Sequence, residues 1–314
     1  MGCSERSTKQ VVDFKSLRFG VEVECTGQTR ERVAQAIQSV VGGEVRHVGT
    51  PACYDPYEVT DASGRIWRVV ADSSLTDVSS HLRAEVVSPI LTYGDIPEFQ
   101  EVIRAVRKCG AKSSPKAGVH IHLDCSQFDG KSLINLAKLY AKQEALILKA
   151  FGVSEERMNR YAKPMNPAFI QRIEKCRKRE VSEINKLWYG YQKANPQRYD
   201  PERYAAVNFT SYLIRGSVEF RLFQFPTEKL HAGMLRAWIV FVLALGARAL
   251  NCKGTSSRRR EFDPESARYD FRVFLLHLGL IGDEFKSPRA HLLHLMPGDA
   301  AWKHGRKAVK KGVK

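Results

Sequence analysis

Four short stretches of this 314-residue sequence carry charged or imidazole side chains in strand-like contexts, three of them as pairs two residues apart. A spacing of two puts both side chains on one face of a β-strand. Glu22 and Glu24 form the first pair, with Phe19, Val21 and Val23 left for the opposite face. Two carboxylates about 7 Å apart along a strand repel unless a cation or a proton lies between them. Hard cations such as Mg²⁺ or Mn²⁺ favour oxygen ligands of this kind; an ordinary solvated face has the same spacing. His120 and His122, followed by Asp124, make a second same-face set. It suits Zn²⁺ or another transition metal, a phosphate contact, or simply a hydrogen-bonded surface. Gly118, just before it, leaves the backbone open to close approach. Glu219 and Arg221 are the third set, which in isolation is an exposed ion pair contributing at most about 1 kcal/mol. Glu85, leading an apolar strand closed by Pro89, is the fourth.

Together these stretches describe a sheet with one face carrying Glu22, Glu24, Glu85, His120, His122, Glu219 and Arg221. Like charges so placed raise one another's pKa values unless cations intervene. A divalent metal bound with a polyphosphate solves that problem, and surplus basic residues then meet phosphate oxygens. No residue is required as a nucleophile. Cys25 follows Glu24 directly and so points to the opposite, buried face. Neither a GxxxxGK[ST] nor a GxGxxG loop occurs, so a P-loop or Rossmann nucleotide site is not supported.

The elements that must position these groups follow from periodicity. Leu17–Glu24 alternates as a strand, and Thr26 or Thr29 opens a helix through Val33, Ile37 and Val40 that stops at Gly42-Gly43. Glu44–Val48, Tyr57–Val59, Ile66–Ala71 and Arg83–Ser88 are strand-like. Pro97 begins a second helix, through Phe99, Val102, Ile103 and Val106 to Gly110. Val119–Asp124 is again a strand and Ser132–Phe151 an amphipathic helix. Asn166–Tyr191 is expected as a charged helix, Gly216–Phe223 as a strand, and Thr227–Leu250 as the most apolar helix. No strict βαβ rhythm appears, which predicts an α+β fold with a largely antiparallel sheet and flanking helices.

Net charge is +16, and Lys303–Lys314 holds six Lys/Arg and no acid. That balance favours anionic partners, among them nucleotides, nucleic acid and acidic peptides. The longest apolar run, Ala237–Ala247, is shorter than the roughly 17–25 residues of a membrane span. The N-terminal residues lack the apolar stretch of a signal peptide, and Arg6 stands where a myristoylation signal has Ser or Thr. Seven scattered Cys without a CxxC pair read as reduced thiols, and the expected location is cytoplasmic, with no membrane partner.

Several stretches recur in an ordered set: Phe19-Gly-Val-Glu-Val-Glu24, Trp67 with Ala71-Asp-Ser-Ser-Leu75, Ala84-Glu-Val-Val-Ser-Pro-Ile90, Ala117-Gly-Val-His-Ile-His-Leu-Asp124, Tyr204 with Val207-Asn208, and Ser217-Val-Glu-Phe-Arg-Leu-Phe223. In this order they resemble the amidoligase family of the glutamine synthetase and glutamate–cysteine ligase superfamily, over roughly residues 17 to 250. The resemblance implies a catalytic-domain-like fold of that superfamily, whose sheet cradles ATP and Mg²⁺ (or Mn²⁺). A substrate carboxylate is phosphorylated, and an amine then displaces phosphate to form an amide or isopeptide bond. By position, the resemblance implies Glu22, Glu24, Glu85 and Glu219 as metal ligands or their supports, and one or both of His120 and His122 as contacts to metal or γ-phosphate. It implies Arg221 as the group that stabilises charge on the transferred phosphoryl group, with Asp72, Ser73 and Asn208 contacting nucleotide or substrate.

The expected organisation is an N-terminal segment (1–16), a catalytic domain (17–250), a linker (251–264), a short helical extension (265–302) and a basic tail (303–314). Carboxylate and amine substrates, among them an acidic peptide or protein, are the expected partners. Two rival readings remain. His120 and His122 would also serve a zinc-dependent hydrolase, and Arg258–Arg260 with the basic tail would serve a nucleic-acid-binding protein on a degenerate ligase fold.

Overall fold

The strand that carries Glu22 and Glu24 is β1 (Phe19–Thr26). The structure, a computed structural model, describes residues 11–50 and 54–304. Alternation along β1 sets the two sides of the molecule: Phe19, Val21, Val23 and Cys25 are buried in the core, and Glu22 and Glu24 belong to the other face. The remaining strands are β2 (Glu44–His47), β3 (Tyr57–Thr60), β4 (Ile66–Val70), β5 (Arg83–Val87), β6 (Val119–Asp124), β7 (Val207–Asn208) and β8 (Ser217–Phe223). Among the described residues they form one eight-stranded sheet in the order β2-β3-β4-β5-β1-β6-β8-β7. Every ladder is antiparallel, as expected.

Helices cover the apolar face. α1 (Arg30–Val41) starts where the Thr29 side chain accepts the Arg32 N–H, and stops at Gly42, whose φ of 71° suits glycine. α2 (Ile96–Lys108) has Pro97 in its first turn, and α3 (Gly130–Ala150) is capped by Asp129 accepting from Ser132 N–H. α8 (Ala232–Asn251) runs through the core against α2, α3 and β6. It corrects the expectation that no apolar stretch reaches span length: by composition it is long and apolar enough to cross a membrane. Yet 83% of its apolar window is buried inside the protein, where an all-round apolar helix is what a core position requires.

The single helix expected over 166–191 is instead two, α5 (Pro167–Lys175) and α6 (Glu183–Tyr189). A continuous helix would set Lys175 against Arg179 at i,i+4, a like-charge pair. The backbone between them turns back, so that the carbonyl groups of Arg179 and Glu180 lie where a side chain on Gly130 would go. Two short helices went unanticipated: α4 (Glu155–Arg160) and α7 (Phe209–Arg215).

Within the 251–264 segment, residues 257–260 are tied to the domain. Arg259 donates to the Met165 carbonyl (2.8 Å) and pairs with Glu144 (3.2 Å), Arg260 pairs with Asp270 (3.5 Å), and Ser257 donates to Glu174. Beyond it, α9 (Ala267–His277) and α10 (Lys286–Leu293) return to the core, α10 lying against α8. Apart from Lys303 and His304, the basic tail lies outside the described residues.

Candidate active site

Register assembles the polar face row by row. Glu24 stands opposite Glu85 across β1–β5, and Glu22 stands opposite His120 across β1–β6. His122 faces Gly20 on one side and Glu219 on the other, and Glu219 faces Asn208 of β7. Five adjacent strands thus bring together residues spread over nearly 200 positions.

The side chains interlock. Glu22 Oε2 lies 3.1 Å from His120 Nδ1, and Glu22 Oε1 lies 3.3 Å from His122 Nε2. That His122 nitrogen is buried and, despite this proximity, makes no hydrogen bond. Glu24 Oε2 accepts the Gly118 N–H (2.6 Å), and its Oε1 is 3.6 Å from His120 Nε2. Glu219 accepts from Arg221 Nη1 (2.5 Å) and from Asn208 Nδ2 (2.6 Å). Asn208 also caps α7, its Oδ1 accepting the Thr210 N–H at 2.8 Å. Arg221 Nε donates to the Tyr161 carbonyl (3.3 Å), and the guanidinium lies 5.9 Å from the Tyr204 ring centre.

Two adjoining cavities open on this face. The larger, about 630 Å³, is bordered by Glu22, Glu24, Asp72, Ser73, Glu85, His120 and Arg221. The smaller, about 110 Å³, is bordered by His122, Asn208 and Glu219 and shares Glu22 with the first. Every residue singled out as a site candidate therefore borders one of the two. Asp124 does not join them: it pairs with Arg18 (2.7 Å) and accepts the Ser126 N–H (3.0 Å). A separate groove of about 500 Å³ between α1 and α2 has Arg32, Arg104 and Lys108 on its walls and none of these groups.

The electrostatics divide the carboxylates into two kinds. Burial opposes ionisation of Glu22, but His122 and His120 overcome it and hold Glu22 well below the usual carboxylate range. Glu219, also buried, is held down to about 2 by Arg221 and both imidazoles. Burial pushes Glu85 well above its ordinary value, and Glu22, Glu24 and Asp72 push the same way. Glu24 is raised as well, by burial first and then by Asp72, against the pull of His120 and the Gly118 N–H. Ionising both Glu24 and Glu85 would therefore put more negative charge on that side of the cavity than the chain compensates. His122 is raised despite burial, by Glu22 and Glu219.

Donor atoms of Glu24, Asp72 and Glu85 lie within 4.8 Å of one another, as do those of Glu22, Glu85 and His120, and of Glu22, His122 and Glu219. The first set is all carboxylate and fits a hard divalent cation; the other two mix carboxylate with one imidazole. No such set among the described residues contains both histidines.

Sequence reasoning missed the basic and aromatic wall. Arg68, Lys116, Arg157, Tyr161, Arg198, Tyr199 and Arg203 line the larger cavity, and Arg198, Arg203 and Arg215 border both. The repeated Arg-Tyr pairs Arg198-Tyr199 and Arg203-Tyr204 were the available signal; Arg203 lies 5.5 Å from each tyrosine ring centre. Nothing in the sequence around Arg157 distinguishes it from a surface arginine.

The sequence profile of the family described as "putative amidoligase enzyme" matches residues 15–246, which include every one of these site residues. The chain belongs to the amidoligase family. The family's description is that of an amide-bond-forming enzyme, and the scaffold that carries the site is α+β with an antiparallel sheet. Among solved structures, it is similar to a bifunctional glutathione synthetase from Pasteurella multocida, with 11% identity and a TM-score of 0.43. The similarity covers 90% of the amidoligase chain and 47% of the synthetase, so the chain spans about half that enzyme's length. No curated protein matches the amidoligase significantly.

Proposed function

We propose that this amidoligase is an ATP- and Mg²⁺-dependent carboxylate–amine ligase working through an acyl phosphate, on a glutamine synthetase/glutamate–cysteine ligase-like catalytic domain. The observation that carries the reading is the carboxylate set Glu24, Asp72 and Glu85 in a cavity that Arg68, Arg157, Arg198 and Arg203 also line. Such a pairing of anionic and cationic groups matches a divalent metal bound with a polyphosphate, and no single ion of either sign would satisfy both. Glu24, Asp72 and Glu85 would hold Mg²⁺ or Mn²⁺, with Glu22, His120 and Glu219 alongside. A divalent ion there supplies charge neutralisation and Lewis acidity toward phosphoryl oxygens.

The chain's own groups supply positioning, which is most of what phosphoryl transfer demands. Glu22 fixes the His120 imidazole and lies 3.3 Å from that of His122, and Glu219 orients the Arg221 guanidinium, which lines the larger cavity. In the proposed reaction a substrate carboxylate oxygen takes the γ-phosphoryl group of ATP and ADP leaves. The amine nitrogen then bonds to the acyl carbon, the bond to the phosphate oxygen breaks, and the nitrogen loses a proton. Carboxylate and amine enter beside the nucleotide; the smaller cavity is the candidate place for one of them.

Calorimetric titration of Mg-ATP, with Glu24→Gln as control, tests the proposal without knowledge of the substrate. Saturable, Mg²⁺-dependent binding lost in the variant supports it, and carboxylates are then screened with hydroxylamine as the trapping amine. Absence of binding by folded wild-type protein overturns it.

A further inference from the structure

Arg157, on α4, is the least compensated buried cation of the site. It is 3% exposed and lines the larger cavity. Its Nη2 donates to the Arg221 carbonyl at 3.1 Å, but its Nε is buried without a hydrogen-bond partner. No described carboxylate comes within ion-pair distance of it; its nearest acidic influence is Glu24, whose carboxylate is engaged by Gly118. Arg221 differs, because Glu219 neutralises it at 2.5 Å. A guanidinium taken out of water with most donors unmet is strongly disfavoured unless an anion meets them.

The backbone has been shaped to admit this group. A Cβ on Gly118 would lie 2.5 Å from Arg157 Nη2, 3.1 Å from Nη1 and 3.2 Å from Cζ, so the Nη edge of the guanidinium abuts a residue without a side chain. Gly118 precedes the His120 strand and binds Glu24, which places Arg157 beside the carboxylate set. Lys116, Ser73 and Ser74 border the same cavity. A cavity bordered by two cationic side chains and two hydroxyls offers more donors than a planar carboxylate can use, and suits a tetrahedral oxyanion.

We infer that Arg157 is an anchor for a phosphoryl oxyanion in the larger cavity, and, resting on the ligase reading above, for the terminal phosphoryl group of the nucleotide. Gly118 is its positioning residue.

The test is calorimetric titration of inorganic phosphate, then of Mg-ATP, into wild type, Arg157→Met and Gly118→Ala. Gly118→Ala keeps the charge in the protein but displaces it, and the atoms nearest its methyl group belong to the movable end of the Arg157 side chain, so this variant is expected to fold. Wild type is expected to bind phosphate, and both variants to bind it at least about tenfold more weakly with unchanged circular dichroism. If Arg157→Met fails to fold, Gly118→Ala decides. Equal phosphate affinity in wild type and Gly118→Ala, or no phosphate binding by wild type, overturns the anion site. Phosphate binding without Mg-ATP binding in wild type overturns the ligase reading and leaves the anion site standing. Mg-ATP affinity unchanged by both substitutions overturns the role of Arg157 toward nucleotide and leaves the ligase reading standing.

Discussion

Glu22 and His120 face each other across the β1–β6 ladder, and a carboxylate oxygen of the first lies 3.1 Å from Nδ1 of the second. The other Glu22 oxygen is 3.3 Å from His122, so two imidazoles from one strand share one carboxylate from the next. That arrangement bears on the zinc-hydrolase reading. His120 and His122 are spaced to chelate one ion, but they are turned onto Glu22 and enter separate donor sets. The all-carboxylate set beside them fits a hard cation better than Zn²⁺.

Glu85→Gln is expected to stabilise the metal-free protein and abolish its stabilisation by Mg²⁺. Burial and three neighbouring carboxylates oppose ionisation of Glu85, and the amide removes that repulsion at nearly constant shape. A gain of about 1 kcal/mol corresponds to roughly 2–4 °C in Tm for a domain of this size. Thermal melts with and without Mg²⁺ check it, and a variant melting below wild type in chelator would contradict it.

Arg221→Ala is expected to cost about 3–5 kcal/mol, because it leaves Glu219 buried without its counter-charge. The double replacement Arg221→Met with Glu219→Gln recovers most of that stability and none of the ligase turnover. Denaturant midpoints for the three proteins, set beside ADP release, separate the structural share from the chemical one.

Asp61 makes stability depend on acid. Burial would raise its pKa, but it accepts from Ser63 N–H (2.9 Å), Ser63 Oγ (2.7 Å), Arg65 N–H (2.9 Å) and Arg65 Nε (2.9 Å). These bonds hold it down to about 2. A depressed folded-state pKa gives stability that is complete above the unfolded value of about 4 and is lost as pH falls toward 2. Asp61→Asn should therefore cost about 2 kcal/mol at neutral pH, with the deficit closing in acid. A deficit independent of pH between 7 and 2 would contradict this.

Cys25 and Cys125 are pushed up to about 12, chiefly by burial. Because the thiolate is the reactive form, neither should be alkylated in the native protein, whereas half-buried Cys109 and Cys176 should. Peptide mapping after iodoacetamide treatment reads this out, and early labelling of Cys25 would show that the core face of β1 opens.

What the sequence determined by itself is local. Alternation at Phe19–Glu24 and Val119–Asp124 sorts core from site face because strand side chains alternate whatever the neighbours are, and Thr29, Gly42 and Pro97 mark helix ends through backbone chemistry alone. The carboxylates and histidines were legible for that reason, and the ordered motifs identified their family. Only tertiary structure decided which strands are neighbours, and hence that Glu85 faces Glu24 while Glu219 faces His122. It also decided that Arg157, Arg198 and Arg203, from segments without periodic pattern, line the cavity. An arginine's charge is the same on a surface as in a wall; what makes Arg157 distinctive is burial against Gly118, and burial is a property of the packed chain.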